Sequence, residues 1–550
     1  MIASHPRDER LAAAALELNG ADLTVADALA VSQRRRRVAL APRAHAGMDA
    51  SRKLKERLIA REIPIYGVTT GFGDSAFRQV SPAKTGRLQE NLLRGLGCGT
   101  GPTASPEVTR VVLLLRANCL AKGNSGVRVA LVQRLLDLLD ADVLPLVPER
   151  GSCGASGDLV PLSYVGGAVT GETEVLDDGE RCEAADALAR LGLEPLALEA
   201  KEGLALVNGT SFMTAFACLA VGAARQLADA TDLLTAMASE ALLGNRGHFE
   251  AFLFARAKPH PGMVASADNI RAILADSQLA LDSEELFGDG LDGDGYLELG
   301  RQVQDKYSIR CAPHVNGVLR DLLAWAEEWV ETEINASDDN PLFDVDRQRV
   351  QSGGNFYGGH MGQAMDSLKV AVANVCDLLD RQLELLVDEK FSAGLTPNLI
   401  PRFDPAGPEA GLHHGFKGMQ LCCSAMTAEA LKLSNPATVH SRSTECHNQD
   451  KVSMGAIAAR DARSIVELAQ NVAAIHLIAA CQALELRGLD RASPSARAAV
   501  ALVRERVPFL HGDRRLDGDI AAVVDLIGSG ALSLLASGRA FLNGAPAGPR

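Results

Sequence analysis

Apolar residues recur every three or four positions over long stretches of this chain, and that spacing predicts helices. Residues 366–387 contain neither proline nor glycine, and Leu368, Val372, Val375, Leu379, Leu383 and Leu386 fall on one helical face. Residues 456–487 form a second such stretch, which at about 1.5 Å per residue spans roughly 48 Å. Gly488 ends it, as glycine does just beyond a helix. The segments 108–120, 127–139, 211–238 and 315–334 also read as helices. Strand-like alternation is confined to short pieces such as 173–176. Helices this long must bury their stripes against one another, so the expected fold is mainly α with a long central helical bundle. The chain divides into an N-terminal region (1–205), the central long-helix bundle (206–490) and a C-terminal helical region (491–550).

Islands rich in glycine, proline or polar residues interrupt these helices: "IYGVTTGFGDSA", "RGSCGASGDLVPLSYV", "LALVNGTSF", "VQDKYSIRCAPH", "SDDNPLF", "SGGNFYGGH" and "STECHNQDKVSMG". In a helical protein such islands are where sites are built. The acidic stretch "FGDGLDGDGYLELG" at 287–300 lacks the Asp/Asn alternation and distal Glu of a calcium loop and reads as a solvated surface loop.

Composition narrows the possibilities. With 550 residues, 47% of them hydrophobic, the chain is globular rather than disordered. Its net charge of -14 argues against nucleic acid or an anionic membrane as partner. The run Arg34-Arg35-Arg36-Arg37 is a local exception, read as a solvated helix face. Eleven cysteines, an odd number without CxxC spacing, point to a reducing compartment. The N-terminal "MIASHPRDERLAAAALELNG" places charges where a signal peptide has its apolar core. No stretch approaches about 18 uncharged apolar residues, so no membrane span is expected and the localisation is read as cytoplasmic.

The stretch Arg150–Val165 concentrates small residues around Ser156. As a phosphate loop it fails, because Asp158 stands where a lysine belongs. As a nucleophile elbow it fails, because Asp158 replaces the second glycine of GxSxG. A third chemistry suits these residues. The Gly157 nitrogen, unencumbered by a side chain, can close on the Ala155 carbonyl, and Ser156 can lose its hydroxyl as water. The product is a five-membered ring carrying a carbon electrophile. Ordinary side chains supply nucleophiles, acids and bases, so an enzyme needing an electrophile takes it from a cofactor or makes it from its own chain.

"GSCGASGDLVPLS" closely resembles the signature of the histidine and aromatic amino acid ammonia-lyase family and its aminomutase relatives. The resemblance continues in the family's order through "YGVTTGFG", "NLLRGLGCG", "LALVNGT", "VQDKYSIR", "SDDNPL", "GGNFYG", "GFKG" and "HNQDKVSMG", from about Ile65 to Gly455. It implies 4-methylidene-imidazol-5-one formed from Ala155, Ser156 and Gly157, no metal, and a homotetramer with active sites shared between subunits. The implied reaction removes ammonia from an α-amino acid to leave an α,β-unsaturated acid.

Residue by residue, Tyr66 resembles the family's catalytic tyrosine, on a glycine- and threonine-rich stretch that reads as a lid. A free tyrosine, with pKa about 10, is a poor base at neutral pH, so the site is expected to lower it. Arg310 resembles the arginine that grips the substrate carboxylate, which a planar guanidinium does through two parallel bonds. Tyr307 and Gln304 accompany it, with Tyr307 implied to reach the electrophile of a neighbouring subunit. Asn208 resembles the asparagine at the prosthetic ring, and Asn340 the one near the carboxylate. Phe356 is implied beside the ring, and Glu445 and Gln449 near the amine. His413, His414, His440 and His447 do not form an HExxH metal pattern.

Substrate choice in the family depends partly on the pair here occupied by Gly95-Leu96. Histidine and tyrosine lyases carry histidine at the position of Leu96; phenylalanine lyases carry leucine there and lysine at the position of Lys417. Leu204 belongs to the same binding set. An apolar aryl ring, phenylalanine first, is therefore expected, and the chain looks closest to phenylalanine ammonia-lyase. Gly95 departs from the plant pattern, which has Phe, and is expected to leave room for ring substituents. The plant insertion is absent, favouring a compact bacterial-type architecture. An aminomutase, which re-adds the amine at the β-carbon, remains the alternative; an inactive scaffold would lack the loss of two waters.

Overall fold

The computed structural model describes residues 15–287 and 294–536. The signal-sequence reading at the N-terminus therefore falls mostly outside the described residues, as do residues 288–293 of the acidic stretch. Residues 294–300 of that stretch are exposed and form neither helix nor strand.

Helix dominates. The stripe predicted at 366–387 lies in helix Gly359–Val387, and all six of its predicted face residues are fully buried. The helix begins earlier than expected, with Gly359 and Gly362 inside it, because Met361, Ala364 and Met365 are buried there. Their burial outweighs the roughly 1 kcal/mol by which a glycine disfavours helix. The second stripe is helix Gly455–Arg487, followed by Gly488 at φ +106°. The remaining predictions correspond to helices Pro106–Ala121, Val129–Ala141, Ser211–Ala241 and Ala312–Ile334.

Strands are short and form small ladders. Leu16–Leu18 pairs in parallel with Val38–Leu40, and Thr100–Thr103 pairs antiparallel with Pro148–Arg150. Glu174–Asp177, where alternation predicted a strand, lies between Leu144–Pro145 and Glu180–Glu183. Leu342–Asp344 pairs with Arg349–Gln351.

One expectation changes. The arginine run is not on a helix face: it lies between helix Val25–Ser32 and strand Val38–Leu40, after the chain turns at Arg34, φ +60°. There Arg34 pairs with Asp142 at 3.0 Å and Arg36 with Asp27. Helices Ser211–Ala241 and Gly455–Arg487 are also long and apolar enough to cross a membrane by length and composition. Their most apolar windows are 83% and 78% buried within the protein, the condition of core helices.

The chain forms two compact units. The first comprises Met1–Gly222, Ala326–Asp366 and Pro436–Arg463; the second comprises Ala223–Trp325, Ser367–Asn435 and Ser464–Arg550.

Candidate active site

Ser156 lies in the first unit, in the turn before helix Leu159–Thr170. The turn is tight: Gly154, Ser156 and Gly157 all have positive φ, at +78°, +53° and +76°. Gly157 pairs with Gly209 in an isolated parallel bridge, and a Cβ on Gly157 would collide with the Gly209 carbonyl. Only glycine fits that approach. The next amide, Asp158 N–H, donates to the same carbonyl at 2.7 Å.

Two side-chain amides address Ser156. Asn208 Nδ2 donates to its carbonyl oxygen at 2.9 Å, and Gln449 Nε2 donates to its Oγ at 3.1 Å. Asn208 follows helix Glu202–Val207, and its own carbonyl accepts from Arg116 Nη1 at 3.0 Å. Arg116 is fully buried and pairs with Asp338, which also accepts from the Thr210 N–H at 2.8 Å. Asp158 Oδ2 accepts from the Met213 N–H at 2.8 Å. Burial pushes the Asp158 carboxyl up to about 7 despite the Met213 and Ser152 donors. Glu333, half-buried and accepting from the Thr210 hydroxyl at 2.6 Å, is pushed up to about 7 by desolvation.

A cavity of about 450 Å³ opens at Ser156. The structure brings nine of the sequence-predicted residues to its wall: Tyr66, Leu96, Ser156, Leu204, Asn208, Asn340, Phe356, Glu445 and Gln449. Phe72, Leu92, Leu159, Tyr357, Asn448, Asp450 and Lys451 line it too, and sequence reasoning missed them. Most were within reach, because Phe72, Tyr357, Asn448, Asp450 and Lys451 sit inside the quoted islands. Leu92 lies one helical turn before Leu96, on helix Thr85–Leu96.

Tyr66 OH accepts from the Gly73 N–H at 3.0 Å. Glu445 Oε1 accepts from the neighbouring Asp74 N–H at 3.1 Å. The expectation of a lowered tyrosine is not met in this chain. Burial raises the Tyr66 hydroxyl above its usual range, the Gly73 N–H opposes this, and the Glu445 carboxylate raises it further.

The other predicted residues lie elsewhere. Gln304, Tyr307 and Arg310 line a cavity of the second unit. Tyr307 is 72% exposed, and the Arg310 guanidinium stacks over its ring at 4.6 Å. Lys417 is exposed at the start of helix Lys417–Leu433. Gly95 does not line the Ser156 cavity, and a Cβ there would meet nothing within 4 Å. His413 lies 2.9 Å from Glu409, and His414 lies 3.1 Å from Asp513.

Residues 23–505 match the aromatic amino acid lyase family. The chain belongs to that family. It is 41% identical to the tyrosine ammonia-lyase of Cupriavidus metallidurans over 94% of this chain and 96% of that one. It is 40% identical to the histidine ammonia-lyase of Stigmatella aurantiaca, over 94% and 97%. The tyrosine aminomutase of Streptomyces globisporus superposes with a TM-score of 0.89 at 35% identity, covering 98% of this chain and 100% of that one. These relatives act, by name, on tyrosine and histidine rather than phenylalanine.

The family forms methylidene-imidazolone from an Ala-Ser-Gly segment without metal. Ala155, Ser156 and Gly157 fit that group. The glycine approach leaves no room for a side chain, and a donor meets each oxygen of Ser156. Among the described residues, the buried Asn208 Oδ1 has no hydrogen-bond partner.

Proposed function

We propose that this protein removes ammonia non-oxidatively from L-phenylalanine, or a ring-substituted phenylalanine, to give the trans-cinnamate. The observation that carries the proposal is Leu96 in the cavity wall, together with Leu92, Leu159, Leu204, Phe72 and Phe356. A phenol or imidazole set against Leu96 loses a hydrogen-bond partner, at a cost of about 1–3 kcal/mol. A phenyl ring loses nothing.

The prosthetic group supplies the carbon electrophile that captures the substrate amine. The protein's side chains do the rest. Asn208 holds the Ser156 carbonyl and draws charge from it, favouring an electron-poor neighbouring carbon. Gln449 donates to the Ser156 hydroxyl, the oxygen that leaves as water when the segment cyclises. Tyr66 takes the β-proton, and Glu445, across the same cavity, meets the ammonium. Asn340 and Phe356 position the substrate. Arg310 and Gln304 bind its carboxylate, and Tyr307 reaches the electrophile, in a homotetramer whose sites are shared between subunits. The exposure of Tyr307 supports that sharing. Lys417 marks the phenylalanine type. The eleven free cysteines support a cytoplasmic enzyme.

The structural likeness to a tyrosine aminomutase favours one second reading, an aminomutase that keeps the arylacrylate bound and returns the amine to the β-carbon. Incubation with L-phenylalanine and product identification by NMR separates the two. Cinnamate with ammonia supports the lyase; β-phenylalanine establishes the mutase. Turnover of tyrosine or histidine at higher kcat/KM than phenylalanine overturns the Leu96 reading. Methoxy or halo substituents that lower kcat/KM at least tenfold overturn the reading of Gly95.

A further inference from the structure

The geometry points to Gln89 as the residue that sets Tyr66 in register with the ring-binding wall. The inference rests on the reading above of Tyr66 as the base. Gln89 is fully buried on helix Thr85–Leu96, the helix that carries Leu92 and Leu96 to the cavity. Its Nε2 donates to the Gly67 carbonyl at 2.8 Å, one residue beyond Tyr66. Its Oε1 accepts from the Leu204 N–H at 2.8 Å. Both partners are backbone groups of fixed sense, so the amide has one satisfied orientation.

One side chain thus joins three parts of the site: the Tyr66 turn, the Leu92/Leu96 helix, and helix Glu202–Val207, which ends at Asn208. The joint has no slack. Gly67 is left-handed, at φ +64°, and a Cβ there would lie 2.6 Å from Leu204 Cδ2. A Cβ on Gly203 would lie 2.7 Å from the Gln89 carbonyl oxygen. With backbones this close, the position of the turn is tied to the amide between them. The Tyr66 oxygen and the leucines that receive the aryl ring therefore share one reference point. Gln89 touches no substrate; it acts through Gly67 and Leu204. Its loss lets the turn drift while the Ala155-Ser156-Gly157 segment keeps its own donors, Asn208 and Gln449.

The test uses the full-length enzyme with two variants. Gln89→Met keeps the length and removes both hydrogen bonds. Gln89→Glu keeps the acceptor for Leu204 and is the second line if the first does not fold. Three readouts are taken: intact mass, hydrogen exchange at 66–73, and steady-state kinetics on an aryl amino acid that the unaltered enzyme turns over. The expected result is loss of two waters as in the parent and faster exchange at 66–73. KM stays within about threefold, and kcat falls about ten- to a hundredfold, as sub-ångström misplacement of a base produces. Unchanged kcat with only a lower Tm overturns the proposal and leaves Gln89 a packing residue. Unchanged exchange at 66–73 overturns it also. Failure to lose the waters overturns it by placing Gln89 in ring formation. If the parent turns over no aryl amino acid, the functional reading fails, and the exchange experiment alone then decides the tie.

Discussion

The residues around Ser156 and those around Arg310 are held in opposite ways. At Ser156, the buried Asn208 and the half-buried Gln449 donate to the serine carbonyl and hydroxyl at 2.9 and 3.1 Å. Behind Asn208 stands the fully buried Arg116, paired with Asp338. At Arg310, the guanidinium bonds the Asp305 carbonyl at 3.1 Å and stacks on an exposed tyrosine. Fixed dipoles favour charge development without reorganisation, and the first region has them within one chain. The second region presents its side chains outward. The comparison shows both donors to Ser156 supplied by the same chain, whereas substrate anchoring, as proposed here, waits for assembly.

The sharpest way to break this comparison is at the first region. Ser156→Ala should retain both waters in the intact mass and lose kcat by about a thousandfold or more. Tyr66→Phe should lose the two waters normally and still drop kcat by about 10²- to 10⁴-fold. Because Tyr66 is raised rather than lowered, and a base works deprotonated, kcat/KM of the parent should climb with pH through the alkaline range. A profile flat from neutrality upward contradicts that assignment.

At the second region, Arg310→Ala should raise KM about a hundredfold while the two waters are still lost, since a charged pair of hydrogen bonds is removed. Mixing unfolded Arg310→Ala and Ser156→Ala chains and refolding them together should restore turnover at the parent's low KM, which neither shows alone. No recovery means that each site is built from one chain.

A smaller change sharpens the specificity reading. Leu96→His should shift the ratio of kcat/KM for tyrosine over phenylalanine upward by about tenfold. The smallest expected effect is on stability. Glu333 has a folded-state carboxyl at about 7, above its ordinary 4.5. Between those values the folded chain holds a proton the unfolded chain has released, so this group's contribution falls as pH rises toward 7. Glu333→Gln should therefore stabilise more at pH 8 than at pH 5, by about 1–3 kcal/mol, seen as a larger Tm gain at the higher pH.

Much of this was legible in the chain. The stripe from Leu368 to Leu386 predicted a buried helical face because periodicity and burial are the same constraint. The island around Ser156 suggested the electrophile from its residue types, and the family resemblance of the other islands implied Asn208, Phe356 and Gln449, because motifs in fixed order are local in sequence. Arg116 and Gln89 escaped. Arg116 sits in the apolar run "VVLLLRANCL", and a lone charge there signals burial without naming its partner, 222 residues away at Asp338. Gln89 is an ordinary helix former; only its two backbone partners mark it. The arginine run misled for a related reason: charge composition does not say where a helix stops, and Arg34 turns left-handed just beyond one.

By itself, then, the sequence determined the helical class, the electrophile-forming segment and the family, because each depends on residues near one another or on motifs in fixed order. The tertiary structure alone decided which groups face Ser156, that Tyr66 is raised, and that Arg116 and Gln89 stand behind the site. Burial and hydrogen-bond partnership are properties of distant segments brought together, and no local pattern encodes the distance between them.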